Sequence, residues 1–427
     1  MKFSFITLGC KVNQFESQAM ASLLEERGHS LAEKGEIADA YIINTCAVTA
    51  ESSRKSRQAV RHAMSENPNA ITAVCGCWAQ ISPEEAASLG AELIFGSSDR
   101  LELVKAIERA YEDRRTIRSI DDPMGRREFE LLPAGSGIGR TRAMLKIQDG
   151  CQNFCAYCII PYARGPVRSL SPDEAVSQAI GLQNRGYREL VITGIEISSY
   201  GRDLDNVNLT DITEKICLAV PNMRVRLGSL EPRTVTGDFC KRLSELPNLC
   251  PHFHLSLQSG SAATLRRMGR RYTPDEFYAG VLLLRKYFPN CGITTDLIVG
   301  FPGETEEEFE ETLQFIEKCA FSSMHVFPYS RRPGTRAASM EGQLPRSVKK
   351  ERAAKVAELA RRMKNEFLSA QIGLTANVLI ESAKDGLATG FTGNYCEVCV
   401  RGNPARNETV SVKITGKNGD MLMGELV

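Results

Sequence analysis

Apolar and polar positions alternate in one rhythm through most of this chain and in a different one at its end. In the first hundred or so residues, the short apolar runs KFSFITL, AYIIN, ITAVC and AELIF read as buried strands. Between them lie helical patterns: QFESQAMASLLEERG, closed by Gly28 at a C-cap, then residues 50–65, 83–89 and 99–111. This alternation predicts an α/β unit over residues 1–112, a small doubly wound parallel sheet with helices on both faces. Residues 113–140 are rich in charge, Gly and Pro and read as a linker. From 141 to 371 six strand signals recur: AMLKIQ, ELVITG, MRVRLGS, HFHLSL, GITTDLIVG and SSMHVFP. Helical patterns separate most of them, which predicts a partial (β/α)6 barrel, open at one side, with functional loops at the carboxyl ends of its strands. A long basic helix from Pro345 to about Gln371 closes this unit. Residues 372–427 give short strands with Gly and Asn turns and no helix signal, as a small antiparallel β-barrel would.

Composition narrows the class. The chain has 427 residues, 42% hydrophobic and 25% charged, which suits a soluble globular protein of two or three domains. MKFSFITLGC is too short an apolar run for a signal peptide, and Lys34 and Asp39 interrupt the next stretch. No run approaches the roughly eighteen apolar residues of a membrane span. Fourteen cysteines without a secretion signal point to the reducing cytoplasm, where thiols ligate metals. The net charge of +1 conceals basic clusters at Arg54, Lys55, Arg57 and Arg61; at Arg266, Arg267, Arg270 and Arg271; and at Arg331, Arg332 and Arg336. A fourth runs along the long helix, with Arg346, Lys349, Lys350, Arg352, Lys355, Arg361, Arg362 and Lys364. Each cluster alone reads as a solvated face; together they suggest a polyanionic partner. The terminal barrel is near neutral, and charge alone does not mark it as a nucleic-acid binder.

The candidate chemistry lies in the cysteines. In GCQNFCAYCIIPYARG, Cys151, Cys155 and Cys158 are spaced three residues and then two apart, directly after the first strand of the barrel. Three thiolates can hold three irons of a 4Fe-4S cube and leave the fourth iron open to a small molecule. The alternative is a three-cysteine zinc site with a remote fourth ligand. In the first unit Cys10, Cys46 and Cys77 follow three successive strands in TLGCKVNQFES, INTCAVT and CGCWAQ. Strand ends of an open parallel sheet converge on one edge, so these thiols can form a second open cluster. Cys75, two residues before Cys77, is expected to point the other way or to stay buried. The competing reading takes all four as small buried hydrophobes. The five histidines, His29, His62, His252, His254 and His325, fit no nucleophile pattern, and no catalytic residue beyond the clusters is expected.

The Cys-x3-Cys-x2-Cys loop with Tyr157 before its last cysteine resembles the radical S-adenosylmethionine (SAM) enzymes. With the second triad, and with IIPYARGPVRS, VITGIEISSYG and HLSLQSGSAATLRRMGRRYT, the chain resembles the methylthiotransferases nearly end to end. It is most like the branch acting on N6-threonylcarbamoyladenosine in tRNA; other branches act on isopentenyladenosine tRNA or a ribosomal-protein aspartate. The resemblance implies two 4Fe-4S clusters and SAM as cofactors. Cys151, Cys155 and Cys158 would hold the SAM-cleaving cluster and Cys10, Cys46 and Cys77 the auxiliary one. Tyr157, Gly194 and Glu196 in TGIE, and Ile298 and Gly300 in TDLIVGFPGE, would contact SAM. A deoxyadenosyl radical would remove hydrogen from C2 of adenosine 37, and methylated sulfur from the auxiliary cluster would replace it. The last unit is similar to the TRAM RNA-binding domain. Implied partners are the anticodon stem-loop of tRNA and a small electron-donor protein, with no membrane.

Overall fold

The computed structural model describes residues 1–33, 35–135 and 141–427; Lys34 and the last five residues of the expected linker, 136–140, lie outside the described residues. Six parallel strands form the first sheet, in the order Ser30–Leu31, Lys2–Thr7, Ala40–Thr45, Ile71–Gly76, Leu93–Phe95 and Ile117–Ser119. The chain enters inside the sheet and winds outward in both directions. That places a topological switch between Lys2–Thr7 and Ala40–Thr45, with a crevice at their carboxyl ends. The apolar runs AYIIN and ITAVC are buried throughout, as strands covered on both faces must be. Helices Lys11–Glu26 and Arg100–Asp113 pack over Phe3, Ile42, Ala73 and Phe95. Helices Ala50–Glu66 and Pro83–Ser88 cover Tyr41, Ile43, Val74 and Ile94 on the other face.

Residues 113–135 differ from a simple linker. Ile117–Ser119 adds the sixth strand, and Leu132 and Ala134 are buried against the next unit. Gln178 Nε2 and Arg185 Nη2 donate to the carbonyls of Leu132 and Ala134 at 3.2 and 2.7 Å. Some of the charged residues of this stretch have local partners: Arg126 pairs with Asp121, and the Glu130 carboxylate accepts from the Arg100 backbone N–H.

The second unit is an arc of parallel strands, Arg142–Asp149, Glu189–Gly194 and Arg224–Leu227 followed by Ser229–Leu230, His252–Gln258, Gly292–Val299 and Ser323–Pro328. Arg224–Leu227 pairs with the strand before it, whereas Ser229–Leu230 pairs with the strand after it. The chain thus changes partners at Gly228 and joins two four-stranded sheets into one open barrel; the remaining strand, Arg168–Ser169, is an antiparallel edge. Along each strand one set of residues packs outward under the helices, as Phe253, Leu255, Ile293, Thr295 and Leu297 do. The alternate set, including His252, His254, Thr294 and Asp296, faces the barrel interior.

Helix Arg346–Ser369 packs on the Ser323–Pro328 edge and leads into a closed five-stranded barrel of Thr375–Lys384, Leu387–Thr392, Glu397–Arg401, Met421–Leu426 and Thr409–Asn418. This small barrel caps the amino-terminal mouth of the large one. Its Tyr395 ring lies 4.8 Å from the His252 ring and beneath the Arg226 guanidinium, while its hydroxyl accepts from Arg142 Nη1 at 2.9 Å.

A buried charge cluster ties the first two units together. Glu16 of helix Lys11–Glu26 is fully buried and pairs with Arg100 at 2.9 Å, Lys146 at 3.2 Å and Arg164. Asp149 pairs with Lys146 at 2.7 Å and Arg164 at 3.2 Å. Burial alone would raise the Glu16 pKa, but Arg100, Arg164 and Lys146 outweigh it and hold the carboxyl well below its ordinary value.

Candidate functional site

Cys10, Cys46 and Cys77 each stand just past the carboxyl end of a central strand, at and beside the switch point. Gly9 makes the close approach of the first two loops possible: its φ is 100°, and a Cβ there would meet the Cys46 Sγ at 2.9 Å. All three thiols lie within electrostatic range of one another. Cys10 is exposed, whereas Cys46 and Cys77 are buried. Desolvation pushes the Cys10 thiol up to about 11 and raises that of Cys46. Metal ligation, which needs thiolates, would therefore release protons here.

Cys75 is fully buried on the other face of the sheet, among Phe3, Ile42 and Phe95. Strand alternation is not the reason, because residues two apart share a face. Gly76, at φ 98°, ends the strand, and Cys77 opens the helix Cys77–Ile81 and turns toward the neighbouring unit. Cys75→Ser is expected to retain both clusters and most activity, whereas Cys77→Ser loses half the iron. The opposite pattern in iron analysis would move the ligand to Cys75.

Sequence reasoning missed the partner that meets Cys77. Arg164, six residues after Cys158, reaches back from the second unit and donates from Nε to the Cys77 Sγ at 3.3 Å. Its Nη2 donates to Asn13 Oδ1 at 2.9 Å, and that oxygen lies 3.7 Å from the Cys10 Sγ. The signal was present in IIPYARG, but only the fold shows which sulfur this arginine meets.

Cys151, Cys155 and Cys158 line one loop at the carboxyl end of Arg142–Asp149. Burial raises Cys151 and Cys158 to about 12. Here too a buried arginine attends one sulfur: Arg270 Nη1 donates to the Cys155 Sγ at 3.4 Å and pairs with Glu231 at 3.2 Å. Asn153, Phe154, Cys155, Cys158, Tyr162 and Gly269 are among the residues bordering a hollow of about 280 Å³. Among the described residues no three His, Cys, Asp or Glu side chains come together as a site for a single metal ion. A cube differs from such a site because each of its cysteines binds a separate iron. Thiols in two groups, each with a buried cysteine whose sulfur meets a cationic N–H, suit anionic clusters.

The other expected contacts vary in character. The Glu196 carboxylate accepts from the Ser199 hydroxyl, keeps one buried oxygen without a hydrogen-bond partner, and lies within electrostatic range of Cys151. Its pKa is raised, chiefly by burial. Gly194 is required by packing, since a Cβ would meet the Gln148 carbonyl at 2.9 Å. Ile298 faces inward beside the cluster of Ala156, Met268, Phe301 and Tyr329, against which Tyr157 also packs. The Gly300 N–H is taken by Glu304 at 3.0 Å, so this glycine serves a turn at φ 71°.

The basic clusters prove mixed. Arg270 serves Cys155, and Arg267 pairs with Glu308. Arg332 is buried and donates to Ser53 Oγ at 2.9 Å, which fixes the helix after Cys46. On the long helix Arg352 is buried against Glu304 at 2.6 Å and Lys355 pairs with Glu351 at 3.0 Å.

Residues 145–316 match the Radical SAM superfamily, and residues 2–96 match Uncharacterized protein family UPF0004. The threonylcarbamoyladenosine tRNA methylthiotransferase MtaB of Bacillus subtilis (strain 168) is 39% identical over 419 residues, 96% of this chain and 93% of that protein. MtaB of Thermotoga maritima is 37% identical over 98% of each chain. The chain belongs to the radical SAM methylthiotransferase family. A second kind of relative of this methylthiotransferase, the tRNA-2-methylthio-N(6)-dimethylallyladenosine synthase of Pelotomaculum thermopropionicum, is 33% identical over 100% of this chain and 97% of its own. Among solved structures, the radical S-adenosylmethionine methyltransferase TsrM of Kitasatospora setae superposes with TM-score 0.58 at 14% identity, over 90% of this chain and 79% of that one. That likeness concerns the fold of the methylthiotransferase alone.

Proposed function

We propose that this methylthiotransferase inserts a methylthio group at C2 of N6-threonylcarbamoyladenosine at position 37 of tRNA. The observation that carries the reading is the pair of cysteine triads, with Arg164 of the second unit donating to Cys77 of the first, in a chain 36–39% identical to four MtaB proteins along nearly its whole length. Residues 1–112 form the unit for the auxiliary cluster, 141–371 the radical SAM core, and 372–427 a TRAM-like RNA-binding barrel. Cys151, Cys155 and Cys158 would hold the SAM-cleaving 4Fe-4S cluster and Cys10, Cys46 and Cys77 the auxiliary one. When bound, the first supplies the electron that cleaves SAM and the second supplies sulfur. The chain's own residues then bind and orient: Tyr157, Glu196 and Ile298 bound the SAM side, and Gly194 and Gly300 shape its walls. Arg164 and Arg270 stabilise the thiolate charge of the two triads through N–H···S contacts.

The substrate base has to leave the anticodon-loop stack to enter between the triads, which costs only a few kcal/mol for an unpaired base. The test is incubation of reconstituted enzyme, SAM and a reductant with an anticodon stem-loop carrying this nucleoside, followed by mass spectrometry of the digest. A nucleoside gain of SCH2 is expected. Modification of a dimethylallyladenosine stem-loop instead would overturn the reading.

Phosphate contacts should come from cations that the fold leaves unpaired. On the long helix these include Arg346, Lys350 and Arg361, exposed and without an ion pair among the described residues. Replacing all three by Ala is expected to weaken tRNA binding and to flatten its log–log salt dependence by up to about one unit for each phosphate no longer bound. Equal affinity and slope would remove this helix from the RNA surface.

A further inference from the structure

Lys11 follows Cys10 and opens helix Lys11–Glu26, yet its side chain leaves its own unit. Its electrostatic neighbours are Arg226, Arg142, Glu189 and Asp296, all on strands of the large barrel, and it lies within range of His252 there. The residue is exposed, as Cys10 is. Both lie where the two units meet, Cys10 near Arg164 and Lys11 near the barrel strands.

The arginines around Lys11 are matched by carboxylates. Glu189 takes Arg224 and Arg226, the latter at 2.9 Å. Arg142 pairs with Glu381, and Asp296 stands 3.3 Å from His254 Nε2. Lys11 alone of these cations has no hydrogen bond or ion pair from its side chain among the described residues. A further unmet polar atom is nearby, since the buried His252 ring has no partner for Nδ1. An exposed ammonium without an ion pair of its own is open to an incoming anion.

We infer that Lys11 is a specificity-determining residue that pairs with the α-carboxylate of the threonylcarbamoyl group on the substrate adenine. This rests on the function proposed above. The methionine carboxylate of SAM is the other carboxylate available to the enzyme. The Cys151–Cys158 loop lies at the carboxyl end of Arg142–Asp149, however, whereas Arg142 and Glu189, the neighbours of Lys11, begin their strands at the opposite end. The substituent therefore enters the barrel with its anionic end toward Lys11, and an uncharged N6 substituent gains nothing from this contact.

The test uses the full-length, cluster-loaded enzyme with three stem-loops, carrying threonylcarbamoyladenosine, its threonyl methyl ester, or plain adenosine at the same position. Wild type is expected to bind the first at least tenfold more tightly than the ester. K11Q should bind the acid and the ester alike, and K11R should restore most of the discrimination. Plain adenosine should bind equally to wild type and K11Q. Iron content and SAM cleavage without RNA should be unchanged in K11Q, which separates lost recognition from lost assembly. Equal wild-type affinity for acid and ester would overturn the inference without any variant being made. So would a K11Q protein that loses SAM binding, because the carboxylate would then be that of SAM. If wild type methylthiolates none of the stem-loops, the function itself fails; if it modifies the acid and K11Q does so equally well, only the role of Lys11 fails.

Discussion

Anaerobically reconstituted protein is expected to carry about eight irons per chain, four for each cube. Replacing Cys151, Cys155 and Cys158 together by Ala should leave about half of that iron and abolish SAM cleavage. Replacing Cys10, Cys46 and Cys77 should also leave half, but with cleavage preserved and methylthiolation abolished. The asymmetry arises from the architecture, because each triad is built on the strand ends of a different sheet. Iron and sulfide assays with deoxyadenosine quantification check each part. Full iron in the second triple variant would dismiss the auxiliary site.

The other large effect should come from a residue that touches neither triad. Glu16→Gln removes the carboxylate shared by Arg100, Arg164 and Lys146 and leaves three buried cations with Asp149 and Glu130 as their nearby anions. Removing one side of a buried network typically costs about 3–5 kcal/mol. Denaturant unfolding should record a loss of that order, together with looser docking of the first unit. The sign with pH is set by the depressed Glu16 pKa. Its stabilisation is fully present above the ordinary carboxyl value of 4.5 and is lost as pH falls toward the folded value. Wild type should therefore lose stability on acidification below about pH 5 more steeply than the variant. A variant as stable as wild type, with the same acid slope, would show that the network only fills space. Because Arg164 also meets Cys77, the variant should in addition hold auxiliary iron less tightly than wild type.

Much of this protein was legible in the chain itself. Strands such as ELVITG and ITAVC announce themselves because burial on both faces leaves little but apolar residues, a local property. The Cys151–Cys158 loop was equally plain, since its three cysteines lie within a few consecutive residues of chain. The strand Ile117–Ser119 escaped notice because three residues in a charged context carry almost no periodicity.

Tertiary structure decided the questions that turn on direction and pairing. Cys75 and Cys77 are indistinguishable by type, and Gly76, with its positive φ, sends them to opposite sides of a sheet. Arg352 and Lys350 belong to one basic run, yet the first is buried against Glu304 and the second is free, because a helix turns each residue about 100° from the last. Arg164 and Lys11 each act on a unit other than their own. Periodicity reports only which face of an element is buried. Which charge meets which sulfur or substrate group depends on how separate units dock, and no local pattern encodes that.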